Sequence, residues 1–305
     1  MSESSSPSRN ASIIFSLMIP GTGHIHAGRT GRGVALHVLY QIGLLSCIAT
    51  LWSSPRMLFA GIAVMLVSSR AFAVYDVLRL LATSERRAPW GLVFAVGAAL
   101  FMAGQAGLRW IFSHVVDTAA MTSTRMVPTL RWGDAFFVDR RATLEPGDVV
   151  VAEAEGGLRV VGRMVAGPGQ RVEVRAGGVV VDDKPIPRCE VGVVELSPGR
   201  RRVWLERIGS RLHLTAEPED AASDHPPTTV SEGSVFLLGD HRDGAIPLGE
   251  TPRGAIVGPV ATVIWGADGE RDADVSGRDG VAIPPLVEPL RGRLDACRDE
   301  LMGAE

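Results

Sequence analysis

Long apolar runs are confined to the first third of the chain, and short alternating ones fill the remainder. Segments 33–52, 57–81 and 90–112 each hold about the 20 mostly apolar residues that a helix needs to cross a hydrocarbon core, so they predict three transmembrane helices. An earlier run, 11–19, is too short to cross and stops at Pro20-Gly21. It reads as an interfacial or re-entrant piece. From Thr129 onward short Val-rich stretches alternate with turn signals such as Pro146-Gly147-Asp148, Gly167-Pro168-Gly169, Gly177-Gly178 and Pro198-Gly199. These predict strands over 135–139, 148–152, 158–165, 171–174, 179–181, 191–196, 202–208, 212–216, 234–238 and 260–265, with a terminal helix over 285–301. The expected architecture is an N-terminal α-helical membrane domain over 1–116, an all-β, barrel-like domain over 117–275, and a tail with a short helix over 276–305.

Composition sharpens this picture in two ways. The 46% hydrophobic content is too high for one ordinary soluble domain of 305 residues, and a net charge of −3 argues against nucleic acid as a partner, because a binder needs a basic face. Basic residues also flank the spans: Arg9, Arg29 and Arg32 precede the first, and Arg86 with Arg87 separates the second from the third. Since cationic residues are retained inside, the expected protein is a multi-pass inner-membrane protein, in contact with membrane lipid, with a cytoplasmic N-terminus and short outer loop 53–56. Its β domain is then extracytoplasmic (periplasmic).

Several side chains have a bland reading beside a functional one. Arg70 and Asp76 fall inside the second span, where snorkelling of Asp76 and Arg79 to the interface is preferred to a transport role. His24 and His26 form an HxH pair with no third ligand nearby, which reads as a solvated loop pair, and no metal or other cofactor is expected. Cys47 lies in an apolar run, and Cys189 and Cys297 either form a disulfide in an extracytoplasmic domain or remain two thiols. Trp132, Phe136 and Phe137 offer an apolar surface for the bilayer, with Phe137 assigned to the core. Arg200-Arg201-Arg202 reads as a solvated hairpin tip.

Pro20-Gly21-Thr22-Gly23-His24-Ile25-His26-Ala27-Gly28-Arg29 resembles a turn found in small bacterial membrane modules, which implies membrane association. In the β half, five boxes follow one another: Met126-Val127-Pro128-Thr129-Leu130 with Gly133-Asp134; Pro146-Gly147-Asp148-Val149-Val150-Val151; Arg163-Met164-Val165-Ala166-Gly167-Pro168-Gly169; Gly178 to Pro185; and Gly239-Asp240-His241-Arg242 with Pro252-Arg253-Gly254. In this order, behind a membrane anchor, they resemble bacterial signal peptidase I, the family that removes signal peptides from secreted preproteins with a Ser/Lys dyad.

The resemblance implies a β domain of the signal peptidase I type and a groove at Ser123, Met126, Pro128, Arg163, Gly239 and Asp240. It also locates a gap in the chemistry. The family's nucleophilic serine and its lysine base align with Arg125 and Gly162. A dyad needs a hydroxyl and a neutral amine, and a guanidinium with a pKa above ~12 supplies neither. Every basic residue except Lys184 is arginine, and Lys184 falls in a turn that the family places away from its dyad. The expectation is a catalytically inactive homologue, a pseudo-protease that binds signal peptides or similar segments of preproteins. One alternative is an active serine endopeptidase with Ser123 as nucleophile and His241 as base, although 243–251 is shorter than the family's corresponding segment and lacks its serines. A structural membrane module is the other.

Overall fold

The computed structural model describes residues 9–49, 55–82, 88–196, 199–219, 224–243, 248–266 and 287–303. The chain divides into two compact units, Met1–Ser113 and His114–Glu305. The first is helical: α1 (Arg9–Met18), α2 (Thr22–His26), α3 (Thr30–Ala49), α4 (Pro55–Leu81) and α5 (Trp90–His114). Among the described residues two helices are long and apolar enough to cross a membrane, Ala60–Leu81 and Trp90–His114. The 20-residue α3 is not one of them; Arg32, His37 and Gln41 interrupt its apolar run. Residues 53, 54, 86 and 87, used above to orient the chain, lie outside the described residues.

The link between α1 and α2 is a tight turn. Gly21 takes φ +99°, and a Cβ there would strike the backbone carbonyl of Gly33, so the turn needs glycine for both conformation and space. Two expectations fail here. His24 and His26 are fully buried rather than solvated: His26 lies against Phe15 and Trp90, with ring centroids 5.6 and 4.9 Å away. Asp76 does not snorkel. Its carboxylate meets His24 Nε2 at 2.8 Å and receives Arg32 through Nε at 2.9 Å and an Nη at 2.6 Å, joining α2, α3 and α4. A carboxylate in an apolar helix is costly alone, and pairing removes most of that cost. Arg79 lies over the Tyr75 ring at 4.7 Å.

The second unit holds three sheets. The largest has seven strands in the order β1 (Val116–Ala120), β2 (Ala135–Asp139), β14 (Ile256–Trp265), β3 (Val149–Glu153), β4 (Arg159–Ala166), β12 (Ser234–Leu238) and β13 (Gly249–Pro252). A second contains β10 (Arg211–Pro218), β9 (Arg200–Ile208) and β8 (Arg188–Glu195). The third contains β11 (His225–Thr229), β5 (Arg171–Arg175), β6 (Gly178–Val181) and β7 (Lys184–Pro185). The barrel expectation is corrected: among the described residues β1 and β13 remain separate edges of an open sheet. Both are short, and β14 accommodates curvature through shifts of register rather than by closing the sheet.

Alternation explains the core. Along β3, Val149 and Val151 join Met126, Leu130, Phe136 and Val263 on one face, while Val150 and Ala152 join Met164, Val235 and Leu237 on the other. A strand covered on both faces reads as a continuous apolar run, as Val149-Val150-Val151-Ala152 does. Phe137 is buried, and so is Phe136, leaving Trp132 as the exposed member of that aromatic group. The C-terminal helix α6 (Arg291–Met302) packs on β8 and β9, where Cys297 forms a disulfide with Cys189, Cα to Cα 5.5 Å. The two-thiol alternative is thereby set aside. Arg201 corrects another expectation: it is the second residue of β9, with its side chain buried against His241, not at a solvated tip.

Candidate functional site

The turn at Gly147 is where the site begins. Gly147 has φ +95°, and the β3–β4 hairpin it introduces pairs Val149 with Arg163 and Val150 with Gly162. Arg163 stands in the middle of β4 between Gly162 and Met164, and its side chain is fully buried. It binds Asp240 through both carboxylate oxygens, Nε to Oδ1 at 2.8 Å and an Nη to Oδ2 at 2.6 Å, and donates to the Gly147 carbonyl at 2.7 Å. The Thr129 hydroxyl donates to Asp240 Oδ2 at 2.5 Å and accepts from Arg163 at 3.4 Å. Burial alone would raise the Asp240 pKa, but the charge and hydrogen bonds of Arg163 hold it below the usual carboxylate range. One ion pair thus ties together residues from four boxes far apart in sequence.

The backbone closes the same knot. His241 N–H donates to the Arg125 carbonyl at 2.9 Å, and a Cβ on Gly239 would lie 2.6 Å from that oxygen, so only glycine fits there. Met126 and Pro128 are buried beneath, with Val127–Pro128 in the cis form. Of the predicted positions, Ser123 and Arg125 line a groove of about 260 Å³, together with Ala119, Ala120, Val161 and Leu248 among others. Ser123 is half-buried and Arg125 exposed. Gly162 is buried and does not line the groove; a Cβ there would lie 3.2 Å from Leu237 Cβ and would oblige the Leu248 side chain, whose Cδ1 it meets, to turn away.

His241 and Ser123 are not joined. Among the described residues no hydrogen bond connects them, and His241 is not part of the groove lining. Its Nε2 accepts from Arg201 Nε at 3.0 Å, which occupies the lone pair a base would use, and its Nδ1 is 3.9 Å from Asp243. Burial lowers the His241 pKa, and the Arg201 charge adds to that, outweighing Asp243. Lys184 lies in the exposed β6–β7 hairpin, opposite Val181, and does not line the groove. Residues 244–247 of the shortened segment lie outside the described residues.

Behind the brace is a second buried cluster that sequence reasoning missed. Glu206 on β9 receives Arg242 at 3.1 Å and stands 3.3 Å from His213 Nε2 on β10. Burial opposes its ionisation, yet the Arg242 charge and the close approach of His213 bring its pKa down to about 2. His213 itself is pushed down by burial and then by Arg163. The available signal was alternation: Arg211-Leu212-His213-Leu214-Thr215 places polar residues on every second position of a strand buried on both faces.

The family model described as signal peptidase, peptidase S26 matches residues 90–265, more than half of the chain, from the first residue of α5 to the last of β14. The chain belongs to the signal peptidase S26 family. Comparison with individual curated proteins finds no match. The S26 match includes Arg125, Gly162, Arg163 and Asp240 but not α1 to α4.

Proposed function

We propose that this S26 homologue is a multi-pass membrane protein that holds extended peptide segments, such as signal peptides, in the groove beside β1 without cutting them. Its β domain faces the extracytoplasmic side. The observation that carries this reading is the lining of the groove. Among the described residues that line it, Thr122 and Ser123 bring hydroxyls but no histidine, lysine or carboxylate stands with them to act as a base, and positions 125 and 162 hold a guanidinium and a glycine. Mutagenesis of serine hydrolases sets the scale: loss of nucleophile and base costs on the order of 10⁶ in kcat. The Cys189–Cys297 disulfide favours an oxidising compartment.

The test is photo-crosslinking in membranes, with a light-activated side chain at Ala120 or Leu158 and a tritiated preprotein as target. A crosslink to the uncut signal segment is expected. Its absence at both positions points to a structural module with no peptide in the groove.

A further inference from the structure

A cavity of about 140 Å³ lies wholly within the helical unit. Its polar lining comes from three helices: His37, Tyr40 and Gln41 of α3, Arg70 of α4 and Gln105 of α5. None of the described residues that line it is acidic. Arg70 is at the middle of the apolar run Ala60–Leu81, about 15 Å from either end at about 1.5 Å of rise per residue. Its Nε donates to the Leu17 carbonyl at 3.2 Å and one Nη to the Leu66 carbonyl at 3.1 Å, and the Tyr40 ring centroid is 5.7 Å from the guanidinium. Among the described residues the second Nη has no hydrogen bond and the guanidinium has no carboxylate partner. Asp76, the carboxylate of α4, is taken up by His24 and Arg32. The Gln105 side chain also makes no hydrogen bond among the described residues. His37 adds no charge: its Nδ1 is 3.3 Å from the Pro20 carbonyl, which can only accept, so its Nε2 is the acceptor for Gln41 Nε2 at 3.1 Å. Carbonyl dipoles do not cancel a charge, and an ionised side chain at this depth is costly unless it meets a counter-charge.

The cavity therefore presents unbonded donors and one unbalanced positive charge. A monoanion that only accepts hydrogen bonds answers both, and a carboxylate is such a group. A cavity of this size takes about six non-hydrogen atoms, the scale of benzene, so a carboxylate and its first few methylenes fill it. A phosphate monoester brings more than one negative charge, and a diester brings a second substituent. Met18 and Phe101 line the cavity and are exposed, so it opens on the outer face of the helical unit, where the rest of an alkyl chain has room to leave. We propose that this cavity binds the carboxylate of a single-chain amphiphile, a long-chain fatty acid, with Arg70 as its counter-charge and Gln105 as a second donor. This rests on the helical unit lying in a bilayer and is independent of the peptide groove.

The experiment measures saturable binding of tritiated hexadecanoate to the full chain in a nonionic detergent, with unlabelled competitors. Hexadecanoate is expected to displace the label roughly tenfold better than hexadecanol, hexadecyltrimethylammonium or acetate, the scale of one charge-assisted pair. Arg70→Gln should weaken binding about tenfold and Gln105→Leu about threefold, with the near-ultraviolet circular dichroism unchanged. The competitor series uses the unaltered chain, so it decides even where Arg70→Gln does not fold. Equal displacement by hexadecanol overturns the recognition of charge, and equal displacement by acetate overturns the amphiphile. Stronger displacement by hexadecyl phosphate overturns the choice of carboxylate. Unchanged affinity in Arg70→Gln overturns the assignment to Arg70. Alkaline carbonate extraction of membranes tests the bilayer placement separately: release of the chain overturns both, and retention without saturable binding overturns the proposal alone.

Discussion

Removing one member of the Arg163–Asp240 pair tests whether the brace holds the site together. In Asp240→Ala the guanidinium keeps its bond to the Gly147 carbonyl and the longer one to the Thr129 hydroxyl and loses both carboxylate contacts, 2.8 and 2.6 Å, in a place where neither side chain touches solvent. Breaking a buried pair from one side costs about 3–5 kcal/mol, chiefly because a charge is left uncompensated. For a unit of this size each kcal/mol moves the midpoint by about 2–4 °C, so the expected fall is on the order of 6–20 °C. Thermal unfolding of the full chain in detergent, followed by near-ultraviolet circular dichroism, reads it. The variant Arg163→Met/Asp240→Leu removes both charges and should recover at least half the loss. A fall of less than ~2 °C in Asp240→Ala, or a double variant worse than the single, would refute the reasoning.

Three further outcomes are expected. Stability should decline in two stages on acidification. His213 and His241 have lowered folded pKa values, so the unfolded chain binds more protons and stability falls as pH drops through 6.5. Asp240 and Glu206 add to the decline below about 4.5, the Glu206 contribution being lost as pH approaches about 2. With Glu206 buried and shifted from 4.5 to about 2, its share is on the order of 3 kcal/mol, and urea titrations of Glu206→Gln across pH should lose that part of the slope. Gly162→Ala should cost about 1–3 kcal/mol by overpacking, and Leu248→Ala should relieve it in a double-mutant cycle; additive costs would mean that the two do not touch. Cys297→Ser opens a loop spanning 108 residues and should cost about 2–5 kcal/mol, with faster proteolysis once α6 is freed from β8.

The strands were legible where alternation was clean: 135–139 and 234–238 coincide with β2 and β12. Those unforeseen had no such signal. In β11 the sequence His225-Pro226-Pro227 lacks donors and apolar alternation, and β7 is two residues long; each exists because a neighbouring strand pairs with it. The helical unit hid its chemistry for a similar reason. Asp76 is 52 residues from His24 and 44 from Arg32, and the packing of α2 and α3 on α4 brings them together. At the site, Arg125 and Gly162 could be read as departures from the family pattern, but Leu248 over Gly162 and Arg201 on His241 depend on side chains from other strands and loops. No spacing in the sequence carries that information.

The most direct test of a non-cutting S26 homologue is a cleavage assay: the purified full chain in detergent, incubated with a radiolabelled preprotein beside its Ser123→Ala and His241→Ala variants. The account predicts intact preprotein in all three, with no product above a protein-free control. Processing to mature length that disappears in Ser123→Ala would contradict it.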